Sequence, residues 1–334
     1  GRTLVLGDGG WGTALALALH RSNCEVAVWG YDNDYAKEVA TTRSNPKFLP
    51  GVEIPADIVW TGDYDECLEG VEEVYSVIPT QFLRGVLRSF RGRFDDCSFV
   101  SATKGLEIDT LQRPSEILVE EAGAQESLVV LSGPSHAEEV AKGMATSLVA
   151  ASKCEAAAQR VQDRISGPEF RIYTSTDVSG VELGGALKNI IAVAAGVAEG
   201  LGLGDNARAA LVTRGLVEMA RFSVAQGAER ETFSGLSGVG DLMVTCWSPH
   251  SRNRSLGFRI GSGESLDEIL ASEEKVAEGV WTCRAVHQAA SEQNLELPIT
   301  ARLFSILFER EDPRASVVEL MSRPFKSERD PNPC

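Results

Sequence analysis

The sequence predicts a chain in two parts, an α/β domain built on a doubly wound, mostly parallel sheet and then an all-helical domain. Three observations carry this reading. A short apolar strand pattern at the start runs into a glycine-rich turn and an Ala/Leu-rich helix. Strand-like runs then alternate with helical patterns as far as residue 176, as in parallel sheets with crossover helices. From residue 177 onward strand-like runs become scarce and helical segments follow one another. At 334 residues the chain exceeds the usual size of one hydrophobic core, so two domains are expected, 1–176 and 177–334.

The first strand, over 3–6, is followed by Gly7-Asp8-Gly9-Gly10-Trp11-Gly12 and a helix over 13–20. Strand, G-x-G-x-x-G and helix in that order form the dinucleotide-binding fingerprint. Gly7 permits the tight turn, Gly9 lets the backbone approach a pyrophosphate, and Gly12 lets helix and strand pack closely. The helix N-terminus supplies free amides to the phosphates. The second strand, over 25–29, ends at Gly30-Tyr31-Asp32, where a ribose-reading side chain is expected. An acidic group there favours the 2′-hydroxyl of NAD, and an arginine favours the phosphate of NADP. Tyr31-Asp32 leans to NAD; Lys37 or Arg43 on a loop would serve NADP, and Asp32 also reads as an ordinary turn residue.

Further strands are expected over 74–78, 98–102, 128–131 and 146–151, with helices over 80–90 and 114–121 between them. Ligands of such sheets sit beyond the carboxyl ends of the strands. Three segments lie there: Ile78-Pro79-Thr80-Gln81, Thr103-Lys104-Gly105 and Ser132-Gly133-Pro134-Ser135-His136-Ala137-Glu138. Lys104 reads either as a cofactor-side cation or as a surface lysine. Ser135 with Glu138 three residues on is a capping-box pattern that would start a helix and present its amides to an anion.

In the second half, helices are expected over 181–200, 207–226, 266–270, 282–294, 300–308 and 316–321. The first holds Gly184 and Gly185 on one face with Lys188. Two glycines inside a helix cost roughly 1 kcal/mol each against alanine. Either a flat ligand or a second helix needs the space. Asp241, after the glycines of 235–240, reads as an N-cap, yet it also stands one turn from Thr245. Ser251 is placed to cap a helix whose first turn carries Arg252 and Arg254. Cations there oppose the helix dipole by about 0.3–1 kcal/mol each, which makes sense if an anion is bound.

Composition sets limits. The chain is 43% hydrophobic and 24% charged, with a net charge of −16, which argues against a general nucleic-acid binder. Any anionic ligand must be held by local cations. Seven scattered cysteines without a C-x-x-C fit reduced thiols in the cytoplasm, and the four dispersed histidines lack metal-ligand spacing, so no metal is expected. The most apolar run, 190–198, falls short of the ~20 residues that span a bilayer, and no signal-peptide pattern is present.

Taken together, Gly7–Gly12 with Trp11, 78–81, 103–105, 132–137, 182–189, 238–246 and 251–254 resemble the soluble NAD(P)-dependent sn-glycerol-3-phosphate dehydrogenases over nearly the whole chain. The resemblance implies an N-terminal Rossmann domain, a helical C-terminal domain, a homodimer, and reversible reduction of dihydroxyacetone phosphate to sn-glycerol 3-phosphate for glycerophospholipid synthesis. It casts Lys188 as the lysine that passes the proton to or from the substrate oxygen. Asp241 becomes its electrostatic partner, and Lys104 the lysine holding substrate beside the nicotinamide. It makes Ser251, Arg252 and Asn253 the phosphate site. Gly133, Ser135, Asn189 and Thr245 are further substrate contacts. Gly10, Trp11, Tyr31, Pro79, Ala137, Arg252, Val276 and Glu278 join Gly7, Gly9, Gly12 and Lys104 on the cofactor. Bacterial members often carry a cation where Tyr31 stands, and an aromatic where His136 stands.

Two rival readings remain. One is a dehydrogenase of the 3-hydroxy-acid or ketopantoate type, which would lack the Ser251-Arg252-Asn253 phosphate site. The other is a dinucleotide sensor without catalysis, which Lys188 and Asp241 together argue against.

Overall fold

The computed structural model describes residues 1–94, 96–125, 127–272, 277–324 and 327–328. Contacts divide the chain into two compact units, Gly1–Thr103 with Arg113–Val181, and Lys104–Gln112 with Glu182–Cys334.

The first unit holds strands β1 (Arg2–Leu6), β2 (Val26–Trp29), β5 (Val59–Thr61), β6 (Val71–Ser76), β7 (Ser98–Ser101), β8 (Val129–Ser132), β9 (Thr146–Ala151) and β10 (Phe170–Ser175), after a side hairpin β3 (Ser44–Asn45) and β4 (Leu49–Glu53). The eight strands form one sheet in the order β10-β9-β8-β7-β6-β1-β2-β5. All neighbours are parallel except β8 and β9, which run antiparallel. The expected doubly wound, mostly parallel sheet is therefore present. Successive residues of β1 feed opposite faces, as the strand period requires: Val5 packs with α1 (Gly10–Arg21) and α7 (Glu155–Ile165), and Leu4 and Leu6 with α4 (Thr80–Ser89) and α5 (Pro114–Ala122). Three further helices, α2 (Asn33–Thr42), α3 (Tyr64–Leu68) and α6 (Ala137–Ala141), belong to this unit.

Several local readings change. Strands β3, β4, β5 and β10 and helices α2, α3 and α7 are additions to the sequence-based expectation, and the helix expected after Ser135 is the short α6. Ser135 does not cap a helix: its hydroxyl donates to the Gly133 carbonyl at 3.0 Å, and α6 starts after His136 without a side-chain cap. Asp32 caps α2, accepting from the amides of Asp34 and Tyr35 at 3.1 Å. Arg43 is spoken for, with its guanidinium donating to the Ile58 carbonyl at 2.8 Å.

The second unit is built on α8 (Val178–Gly200) and α9 (Gly204–Ala225), followed by α10 (Asp241–Trp247), α11 (Arg252–Gly261), α12 (Leu266–Ser272), α13 (Glu278–Glu292), α14 (Pro298–Phe308) and α15 (Pro313–Met321). Helix α8 has the length and apolarity of a membrane span, but its apolar window is wholly buried, so it is the core helix of this unit. Gly202 and Gly204 close the turn into α9 with φ of +72° and +83°, a region that glycine enters without a Cβ clash. Glu218 on α9 caps α14, accepting from the amides of Ile299 at 2.6 Å and Thr300 at 3.1 Å.

Candidate active site

In the first unit the glycine turn is built as the fingerprint requires. Gly7 has φ +123°, and a Cβ on Gly12 would fall 2.0 Å from the Gly7 carbonyl oxygen, so the turn and the close packing both demand glycine. A Cβ on Gly10 would meet the Phe48 carbonyl at 2.8 Å, whereas one on Gly9 would meet nothing within 4 Å. Open space at Gly9, beside first-turn amides that α1 itself leaves without acceptors, fits a pyrophosphate. Trp11 lies in the first turn of α1, Pro79 caps α4, and Tyr31 is 80% exposed after β2. Gly133 has φ +144°, and the Cβ of Ala137 lies 3.8 Å from where a Cβ on Gly10 would be.

Asn45 is a contributor the sequence did not announce. It is 1% exposed, and its amide nitrogen donates to the Asp8 carbonyl and the Thr13 hydroxyl, both at 2.8 Å. Its oxygen accepts from the Tyr35 hydroxyl at 2.7 Å, so the side hairpin holds the glycine turn in shape. A two-residue strand carries no periodic signal, and the Asp8 and Thr13 partners of Asn45 lie 37 and 32 positions away.

In the second unit three charges meet. Asp241 is 1% exposed, and its carboxylate accepts from Lys188 through Oδ1 and from Lys104 through Oδ2, the latter at 2.9 Å. Lys188 also donates to the Thr245 hydroxyl at 2.9 Å, and that hydroxyl donates to the Asp241 carbonyl at 2.6 Å. Asp241 is thus the first residue of α10 and not its N-cap, because two ammonium groups claim its carboxylate. Gly184 serves helix packing: a Cβ there would fall 2.4 Å from the Ser237 carbonyl, in the π-helical turn Leu236–Gly240 that leads into Asp241.

Burial lowers the Lys188 ammonium to about 7; Lys104 pushes the same way and Asp241 opposes both. Burial alone would raise the Asp241 carboxyl, but the two ammonium groups hold it below the usual carboxylate range. The cluster is therefore a buried carboxylate carrying two cations, one of which can exchange a proton near neutral pH.

Ser251 caps α11, accepting from the Arg254 amide at 3.2 Å, with Arg252 exposed in a first turn free of acidic residues. Asn253 donates to Asn189 at 3.0 Å and accepts from the Gly279 amide at 2.8 Å, so its carbonyl is already engaged. Arg254 is held by Glu199 at 2.8 Å. Burial pushes the Glu278 carboxyl up to about 7, against the pull of Arg252, and its Oε2 has no hydrogen-bond partner among the described residues. Val276 lies outside the described residues. Among those described, no group of three or more His, Cys, Asp or Glu side chains is arranged to hold a metal.

A glycine turn open enough for a pyrophosphate and a buried lysine able to exchange a proton near neutral pH fit one class: a nicotinamide-dependent dehydrogenase. Family models place it further. The N-terminal part of NAD-dependent glycerol-3-phosphate dehydrogenase matches residues 3–158, and the C-terminal part matches residues 177–318. The chain belongs to the NAD-dependent glycerol-3-phosphate dehydrogenase family. It is 47% identical to glycerol-3-phosphate dehydrogenase [NAD(P)+] of Geobacillus kaustophilus over 98% of this chain and 96% of that one. The same enzyme of Chlorobium phaeobacteroides is 44% identical, over 97% and 98%. The crystal structure of glycerol-3-phosphate dehydrogenase from Coxiella burnetii superposes with a TM-score of 0.92 at 37% identity, covering 96% of this chain and 99% of that one. A ketopantoate reductase from Ralstonia eutropha shares the fold alone, at a TM-score of 0.61 and 12% identity, over 96% and 100%.

Proposed function

We propose that the protein catalyses reversible hydride transfer between NAD(P)H and dihydroxyacetone phosphate, giving sn-glycerol 3-phosphate. The observation that carries this is the pairing of Lys188 and Lys104 on the single buried carboxylate of Asp241. When bound, the nicotinamide supplies or takes up the hydride. Reduction of a ketone builds alkoxide charge, which the Lys188 ammonium stabilises and protonates; in the reverse direction the neutral amine takes the proton. Asp241 keeps the two ammonium groups in place, and Lys104 holds the substrate. Arg252, Ser251 and the amides at the start of α11 hold the phosphate, with the remaining N–H of Asn253 beside them. Gly133, Ser135, Asn189 and Thr245 complete the substrate contacts. Residues 1–176 bind the cofactor and 177–334 the substrate, with Lys104 joining the latter. Asp32 is used as a helix cap and Arg43 is held by Ile58, which leaves Tyr31 and Lys37 as the cofactor-reading side chains in this reading. The protein works as a cytoplasmic homodimer that supplies glycerophospholipid synthesis.

The test is nicotinamide oxidation with dihydroxyacetone phosphate against dihydroxyacetone alone, using NADH and NADPH. Fast, phosphate-dependent oxidation is expected. A folded sample that binds NADH and turns over neither substrate would return the choice to the sensor reading.

A pH dependence follows from Lys188. Its protonated form is needed for reduction, so kcat/KM for reduction is level below about 7 and falls tenfold per pH unit above it. For glycerol oxidation the sign reverses: kcat/KM rises with pH up to about 7 and then levels. Measuring both with unphosphorylated substrates removes the phosphate's own ionisation near pH ~6. Flat profiles across this range would take Lys188 out of the proton transfer.

A further inference from the structure

Helix α11 touches α8 through glycines on both sides. A Cβ on Gly196 would fall 2.1 Å from the Arg254 carbonyl oxygen, and one on Gly200 2.3 Å from that of Phe258. From the other helix, Gly257 would meet the Val193 carbonyl at 2.0 Å and Gly261 the Val197 carbonyl at 2.3 Å. Each helix spaces its glycines four apart, so they stand on one face, and the backbones meet with no side chain between them. The contacts advance together along both helices, which means that α11 runs beside α8 in the same direction. Its N-terminus therefore lies level with the turn that carries Lys188, and the Asn253–Asn189 bond at 3.0 Å joins the two there. A second tie crosses the same seam: Arg254 donates to Glu199 at 2.8 Å, and Arg208 on α9 stands 3.6 Å from the same carboxylate.

We infer that this seam is a ruler. It fixes the distance between the Lys188 ammonium and the Arg252 end of α11, and so selects substrates by the spacing between their carbonyl and their phosphate. The inference rests on the proposed phosphate site at Arg252. Its physical basis is stiffness. Helices separated by side chains slide as rotamers change, but helices in backbone contact have nothing to rearrange. Gly196, Gly200, Glu199 and Arg254 act here as positioning residues, about 12 Å along α8 from Lys188 for Gly196.

Ordinary C···O contacts settle near ~3.3–3.6 Å, so a methyl at Gly196 or Gly257, 2.0–2.1 Å from a carbonyl oxygen, displaces α11 by more than about 1 Å. Misplacement on that scale costs about 100-fold when it separates reacting groups. Gly196→Ala and, as the milder variant, Glu199→Gln are to be assayed with dihydroxyacetone phosphate, with its homologue longer by one methylene between carbonyl and phosphate, and with dihydroxyacetone. Gly196→Ala is expected to raise KM for dihydroxyacetone phosphate about 10- to 100-fold and to narrow the preference over the longer phosphate. The slow turnover of dihydroxyacetone and the pH midpoint should stay in place. Glu199→Gln should do the same about threefold to tenfold, and Glu199→Asp should recover part of it. If both variants melt like the parent and keep its KM and length preference, the seam is packing only and the ruler is wrong. Equal losses with all three substrates would likewise mean general damage and overturn it. Arg252→Ala separates the underlying reading: an unchanged KM there places the phosphate elsewhere, whatever the seam does.

Discussion

Lys188→Ala is expected to lower turnover by roughly 10³–10⁵ while leaving NADH affinity within about twofold. The magnitude combines the 10²–10⁴ typical of a positioned general acid with the loss of charge stabilisation at the developing alkoxide. NADH affinity is spared because the residues that fit the pyrophosphate, Gly7 to Gly12 buttressed by Asn45, belong to the first unit. Folding should survive. Asp241 keeps Lys104 as a partner, and the buried ammonium that disappears was itself costly to desolvate. Single-turnover kinetics and fluorescence titration with NADH measure the two quantities separately. Turnover within tenfold of the parent would assign the proton to another group.

Asp241→Ala carries the second large effect, on stability and chemistry together. Removing the carboxylate leaves the buried Lys188 ammonium beside the partly exposed Lys104 with no counter-charge, a loss of up to about 3–5 kcal/mol, the cost of breaking a buried pair. Part of that is avoided if Lys188 sheds its proton. Its pKa, already lowered to about 7 with Asp241 present, then falls further, since burial and Lys104 are left unopposed. Two results are expected: a lower midpoint in denaturant, and reduction whose alkaline fall begins at lower pH. Asp241→Asn keeps the shape and should restore more stability than activity. A variant with the parent's pH midpoint would show that Asp241 does not tune Lys188.

Much of the fold was legible because it is written locally. The strand, glycine turn and helix over residues 3–20 form one contiguous unit, in which Gly7 and Gly12 answer local steric demands. Helices α8, α9 and α12 to α15 announced themselves through their apolar pattern, while α11 was signalled by its Ser251 cap, which needs only the residue three positions on. Short elements were harder. Strand β5 has three residues and α3 has five, less than the two periods a pattern needs. Strand β10 buries only part of one face at the sheet edge.

The sequence by itself determined the two-part architecture, the dinucleotide turn and the helix start at Ser251, since neighbours in the chain decide each of these. Only the tertiary structure decided that Asp241 is an ion-pair partner and not a helix cap. It brings Asp241 to Lys188, 53 residues away, and to Lys104, 137 residues away. It alone showed that Asn45 holds the glycine turn and that four glycines join α8 to α11. The physical reason is common to all three. A buried carboxylate, a buried amide and a bare helix face take their meaning from what they touch, and those partners lie far off in the chain.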